Sequence, residues 1–245
     1  MVAGLTRMES IIGLQWIDIK GARMNAVTAD HLKLYSYFRS SAAYRVRIAL
    51  NLKGLSYDYA SVHLLREGGM QFAEPFRTLN PQQLVPLLVN DGFHVSQSLA
   101  IIEYIDEKFP GTPLMPNTAE GRARVRQLAL AIACDIHPLQ NLRVLRYLTG
   151  TLGLSEDDKA GWLKHWLGLG LQALETDLSR ADTRGKFCYG DLPTLADCVL
   201  VPQMFSASRF GVDVTPFPTL RAICAACESL EPIAAAHPSR QPDAE

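Results

Sequence analysis

The chain carries almost no net charge: 24 Lys and Arg against 25 Asp and Glu leave a formal value of -1 over 245 residues. Nucleic-acid binders and electrostatic membrane binders concentrate basic residues, so this balance argues against both classes. Small molecules or further copies of the chain are the expected partners. Long apolar runs are also missing: none reaches the ~20 residues that cross a bilayer, and no small-residue cleavage pattern follows the apolar stretch 11–19. A cytoplasmic protein without a membrane anchor is expected. Residues 1–30 match no motif and read as a weakly structured leader, or as a misplaced start with Met24 as a second candidate.

Cysteine is scarce and odd in number, at Cys134, Cys188, Cys198, Cys224 and Cys227, which speaks against a disulfide framework. Cys224 and Cys227 have the spacing of a metal or redox half-site. No second such pair and no HxxxH accompany them, so two buried thiols one helical turn apart is the better reading, and no metal is expected.

What the chain does have, at 48% hydrophobic and 20% charged residues, is material for packed cores. Residues 31–112 alternate between strand and helix patterns. Leu32 to Phe38 reads as a strand, Val46 to Lys53 as a helix stopped by Gly54, and Tyr57 to Leu64 as a second strand, parallel to the first because a helix connects them. The segment 70–79 reads as a second helix or long connection. Asp91-Gly92 between apolar runs predicts a hairpin. Ser96 and Ser98 are candidate caps for a helix ending near Pro110. This βαβ–ββα order predicts an α/β N-terminal domain of thioredoxin-like plan.

From 118 to 245 the spacing is helical throughout, predicting an all-α C-terminal domain. One long helix through Val125, Leu128 and Ile132 should break at Pro138. Ser155 with Asp158 and Thr194 with Asp197 are capping boxes, the first ahead of an apolar stripe at Leu163, Leu167, Leu171, Leu174 and Leu178.

Chemistry is expected where the first strand meets the first helix. Arg39-Ser40-Ser41 places hydroxyls and backbone amides at a helix N-terminus, which attracts anions. A thioredoxin-like redox protein keeps cysteines at that turn. All five here lie at 134 or later, so thiol exchange by the protein itself is excluded there. Pro86 within a strand pattern points to an edge, a bulge or a cis bond. Gln97-Ser98, at another helix start, offers groups able to take a carboxylate.

The segments Tyr35 to Ser41, Val46 to Leu50, Leu79-Asn80-Pro81, Val85-Pro86, Gln97 to Tyr104 and Arg240 to Asp243 together resemble the zeta-class glutathione transferases, over about residues 32–244. The resemblance implies that family's two-domain architecture, a homodimer, and glutathione as cofactor. It makes Ser40 the hydroxyl that stabilises the glutathione thiolate, with Ser41 beside it. Gln71, the Val85 backbone, Gln97 and Ser98 would hold the tripeptide, and the segment carrying His137, Asn141 and Arg143 would close the site from the helical side. The implied activity is glutathione-dependent cis–trans isomerisation of maleylacetoacetate to fumarylacetoacetate in tyrosine and phenylalanine catabolism. Maleylpyruvate isomerisation, favoured by Arg143, a broad conjugating transferase and a non-enzymatic binding module are the alternatives. A dicarboxylate substrate needs cations, for which Arg39, Arg209 and Arg143 are candidates. Many zeta enzymes carry Cys after the two serines; here it is Ala42, which puts in doubt only reactions that use that thiol.

Overall fold

The computed structural model describes residues 31–245, so the expectations for the leader lie outside it. Strand β1 (Leu32–Ser36) leads into helix α1 (Ser41–Leu52), which Gly54 terminates in the left-handed region at φ 65°, and strand β2 (Asp58–Ser61) follows. β1 and β2 run parallel, Lys33 opposite Asp58. The hairpin of β3 (Leu87–Asn90) and β4 (Phe93–Ser96) turns at Asp91-Gly92, both at positive φ as a tight primed turn requires. β3 lies antiparallel to β1, which gives the sheet order β2-β1-β3-β4.

Alternation along the strands sends side chains to two cores. Leu32, Leu34 and Leu88 enter the main one with α1 and with α3 (Ser98–Lys108), while Leu87 points to the opposite face with Phe38, Val62, Phe76 and Val85. Segment 70–79 departs from the simpler expectation. It forms a 3-10 turn at Met70–Phe72 and then the four-residue α2 (Phe76–Leu79), with Pro75 and exposed Phe72 interrupting any continuous apolar face. Ser98 also departs from expectation: it is the first residue of α3 rather than its cap. Gln97 takes the cap position at φ 70° with no side-chain cap bond, because the Ser98 hydroxyl is engaged by an arginine of α1.

The remainder is helical: α4 (Ala119–Leu130), α5 (Leu142–Gly150), α6 (Glu156–Ser179), α7 (Leu195–Arg209), α8 (Pro218–Glu228) and α9 (Glu231–Ala235). Both capping carboxylates are in place, Asp158 on the Ser155 amide and Asp197 on the Thr194 amide and hydroxyl. All five leucines of the α6 stripe are buried. α7 is buried nearly all round and packs against α1, joining the helical region to the sheet region.

The break in the long helix begins earlier than Pro138. After α4 the chain widens into a π turn at Ala131–Ile136 and tightens into a 3-10 turn at His137–Gln140. α6 passes so close that a Cβ on Gly170 would lie 2.4 Å from an Ile136 side-chain carbon. Glycine therefore permits the packing that holds the π turn. No helix of the described residues is long and apolar enough to cross a membrane. Cys224 and Cys227 are buried one turn apart on α8, where burial pushes both thiols up.

Candidate active site

A cavity of about 1030 Å3 opens between the sheet region and the helical region. All eleven residues singled out from the sequence line it: Arg39, Ser40, Ser41, Gln71, Val85, Gln97, Ser98, His137, Asn141, Arg143 and Arg209. They come from the β1–α1 turn, the 3-10 turn after β2, the approach to β3, the start of α3, the break after α4, the start of α5 and the end of α7.

Ser40 is the N-cap of α1, with extended backbone, and its Oγ accepts the Ala43 amide at 3.2 Å. Accepting through Oγ leaves the hydroxyl proton available to donate elsewhere. Ser41 is engaged differently: buried, it shares a 3.0 Å hydrogen bond with Ser206 of α7, so it ties the two regions together. Arg39 stacks on Phe38 with its guanidinium carbon 4.8 Å from the ring centroid, and Arg209 stacks on Phe210 at 4.1 Å. Burial and the nearby Arg39 charge both hold the Arg209 pKa below its usual value.

Gln71 is buried with its Oε1 unpartnered, in a turn where a Cβ on Gly69 would lie 2.7 Å from its amide. Gly69, at φ 119°, is what leaves room for that side chain. Val85 precedes a cis peptide to Pro86 and sits outside the β1–β3 ladder, which ends at Leu87. Pro86 thus lies before the strand rather than in it. Gln97 hydrogen-bonds Gln82 at 3.0 Å. Asn141 caps α5 by accepting the Arg143 amide, which leaves its side-chain NH2 as the group able to meet a ligand. Burial, reinforced by the Arg45 charge, pushes the His137 imidazole down to about 3, so it is neutral at physiological pH.

Two cavity residues escaped sequence reasoning. Tyr37 is buried with its hydroxyl unpartnered, and Arg45 is buried with two guanidinium nitrogens unpartnered. The only signal for Arg45 was a charge four residues after Ser41 on a helix otherwise committed to burial. A cavity lined by serine hydroxyls, amide side chains and stacked cations suits a polar, anionic ligand with several hydrogen-bonding groups.

Comparison with known proteins agrees. Residues 34–113 match the family described as glutathione S-transferase, N-terminal domain. The chain is 49% identical to a probable maleylacetoacetate isomerase of Vibrio cholerae, over 87% of this chain and 98% of that one. It is 48% identical to a maleylpyruvate isomerase of a Ralstonia species, over 86% and 99%. Among solved structures it resembles the holo form of a zeta-class maleyl pyruvate isomerase, with TM-score 0.84 and 47% identity over 87% of this chain and all of that one. A maleylacetoacetate isomerase of Methylobacterium extorquens, solved with malonate and glutathione, gives TM-score 0.84 at 41% identity over 87% and 99%. Fold, cavity and near-complete coverage of these relatives lead to one conclusion: the chain belongs to the glutathione transferases, in the zeta class.

Proposed function

We propose that the protein is a glutathione-dependent cis–trans isomerase that converts maleylacetoacetate to fumarylacetoacetate. The observation that carries this reading is the Ser40 hydroxyl, held as the cap of α1 with its proton free, in a cavity that also presents Arg39 and Arg209. Bound glutathione supplies a thiolate whose reversible addition to the conjugated cis alkene leaves a single bond free to turn, so that glutathione is regenerated with the trans product.

The chain's own residues fit that cofactor. Ser40 donates to the sulfur, and the N-terminus of α1 adds its partial positive charge, so the anion is favoured near neutral pH against an ordinary thiol pKa of ~8.5. Gln71, the Val85 backbone, Gln97 and Ser98 hold the tripeptide from the sheet side, and His137 and Asn141 meet it from the helical side. Arg39 and Arg209 pair with the substrate's carboxylates and with charge that develops on its carbonyl oxygen. His137 stays neutral and acts as a hydrogen-bonding group, not a titrating base.

Arg143 favours a second reading. It lines the cavity at the start of α5, and a guanidinium is the group that pairs bidentately with an α-keto acid such as that of the shorter maleylpyruvate. Steady-state turnover of both acids tests the two readings. Faster turnover of maleylacetoacetate at constant total glutathione supports the first, whereas faster turnover of maleylpyruvate establishes the second. Consumption of glutathione into a released adduct would make the protein a conjugating transferase. A homodimer in the cytoplasm serving tyrosine and phenylalanine breakdown completes the proposal, and sedimentation of the purified chain checks the dimer.

A further inference from the structure

Among the described residues, those lining the cavity include no Asp or Glu, although acidic residues slightly outnumber basic ones in the chain, 25 to 24. Two groups of cations face into it: Arg39 with Arg209, and Arg143, Arg146 and Lys159 on α5 and α6. Arg146 follows Arg143 by three residues, so the two share a face of α5, staggered along its axis by about 4.5 Å at ~1.5 Å per residue. Thr149, three residues further on, also lines the cavity, so this face of α5 is the one turned inward.

Arg146 is half-buried, and its Nη2 donates to the Leu64 carbonyl at 3.2 Å, 82 residues away in the chain. Leu64 lines the sheet-side wall, in the segment after β2 that leads to Gln71. That bond holds the guanidinium as a crossbar between the two walls. Its Nε and Nη1 have no partner among the described residues, and no ion pair there involves the group. Neither nitrogen is shut off from solvent, unlike the idle nitrogens of Arg45. Lys159, by contrast, is already paired with the exposed Glu156.

We infer that Arg146 is a specificity-determining residue, a cationic end-stop that receives the far carboxylate of the maleyl dicarboxylate and favours the longer chain. His137, Asn141 and Arg143 lie before or within the first turn of α5, on the side assigned to glutathione, and Arg146 lies one turn beyond them. The terminal carboxylate of maleylacetoacetate is one methylene further from the alkene than that of maleylpyruvate, which carries it along this face toward Arg146. A guanidinium anchored by one bond to a carbonyl presents its remaining N–H groups to such a carboxylate, and the cavity offers no competing acid. Arg146 adds a contact to those of Arg39 and Arg209 and takes no part in forming the thiolate.

The inference rests on the isomerase reading, so its test includes one arm that needs no turnover. In the first arm, steady-state kinetics with both maleyl acids compare the wild type with Arg146→Met. The variant should lose about 10-fold more kcat/KM on maleylacetoacetate than on maleylpyruvate, the scale of one charge-assisted bond, through KM rather than kcat. Its affinity for glutathione, measured by calorimetry, should stay within about threefold of the wild type's. Arg146→Lys keeps the charge and should recover part of the preference. Equal losses on both acids, or a loss matched by weaker glutathione binding, would make Arg146 a structural tie to the Gln71 segment and overturn the inference. In the second arm, suberate and pimelate, unreactive diacids with the carbon-chain lengths of the two maleyl acids, are titrated into the glutathione-loaded protein. The wild type should bind suberate about fivefold more tightly than pimelate, and Arg146→Met should bind the two alike. No preference in the wild type, or a preference that survives the substitution, also overturns the inference. If the wild type isomerises neither acid, the isomerase reading fails and the diacid arm alone decides the role of Arg146. If Arg146→Met does not fold, Arg146→Gln, whose amide keeps a donor for the Leu64 carbonyl, replaces it in both arms under the same criteria.

Discussion

Arg45 and Arg47 stand two residues apart on α1, 2% and 0% exposed, and look toward opposite flanks of the helix. On the flank of Arg47 every guanidinium nitrogen is used. Nε donates to Ala236 O, Nη1 to Ser36 Oγ and Tyr37 O, and Nη2 to Phe38 O. On the flank of Arg45 one nitrogen is used and two are idle. Burial is the same and chemistry is not. The difference teaches that a buried charge is read by its unspent hydrogen bonds: the satisfied arginine clamps the β1–α1 turn to the C-terminal segment, and the unsatisfied one spends a single bond on Ser98 at the start of α3. Asp243 belongs to the satisfied flank, accepting from the Phe38 amide, Tyr59 Oη and Ser61 Oγ.

The comparison is broken most severely at Arg47. Arg47→Met strands buried carbonyls and should cost at least ~3 kcal/mol of stability in urea unfolding, since bonds to charged groups contribute ~1.5–3 kcal/mol each. A loss below ~1 kcal/mol would show that the clamp is redundant. On the other flank, Ser40→Ala should lower kcat by about 100-fold, the scale of removing one donor to a reacting anion. Its stability should fall by only ~0.5–2 kcal/mol through the lost cap. Wild-type turnover at saturating glutathione would remove Ser40 from the thiolate role. Ser41→Ala, whose hydroxyl is spent on Ser206, should be milder.

Arg143→Ser should reduce kcat/KM for maleylpyruvate more than for maleylacetoacetate, by a difference of ~1–3 kcal/mol. Equal losses would assign Arg143 to glutathione or to the fold, and no loss on either acid would leave it a solvated helix-end charge. Asp243→Ala should cost ~1–2 kcal/mol with kcat little changed, because its three donors lie on the satisfied flank. A kcat loss larger than the stability loss would mean that the tail sets the position of Arg39 and Ser40.

The smallest effect is expected at His137. Its imidazole drops from an ordinary 6.5 to about 3 on folding, so the neutral form is the one the fold favours. That contribution to stability is complete above pH ~6.5 and fades as pH falls toward 3. His137→Gln should therefore flatten the fall of Tm with acid relative to the wild type. It should leave the shape of the pH–rate profile between pH 6 and 8 untouched. A limb lost from that profile would show that His137 titrates during turnover.

Local rules were enough wherever one short segment carries its own instructions. Asp91-Gly92 turned the hairpin, Ser155 and Thr194 opened their helices, and five leucines spaced for one face of α6 were buried together. The serine turn and Gln97-Ser98 were legible for the same reason, as helix starts with distinctive side chains. Legibility ended where two distant segments compete for one group. Ser98 was expected to cap α3, but a hydroxyl accepting from Arg45, 53 residues away, takes part in a different network. The helix break expected at Pro138 begins at Ala131, where close packing against Gly170 of α6 accompanies a wider turn.

The sequence by itself determined the elements, their order and the family, because periodicity, caps and turn residues act over a few positions and the family's segments are contiguous. Only the tertiary structure decided that eleven residues from seven places share one cavity, and that of two arginines alike in type and burial one is spent and the other is not. Hydrogen bonds and desolvation depend on what arrives from elsewhere in the chain, and no local pattern on α1 records whether Ala236 or an open cavity will lie beside it.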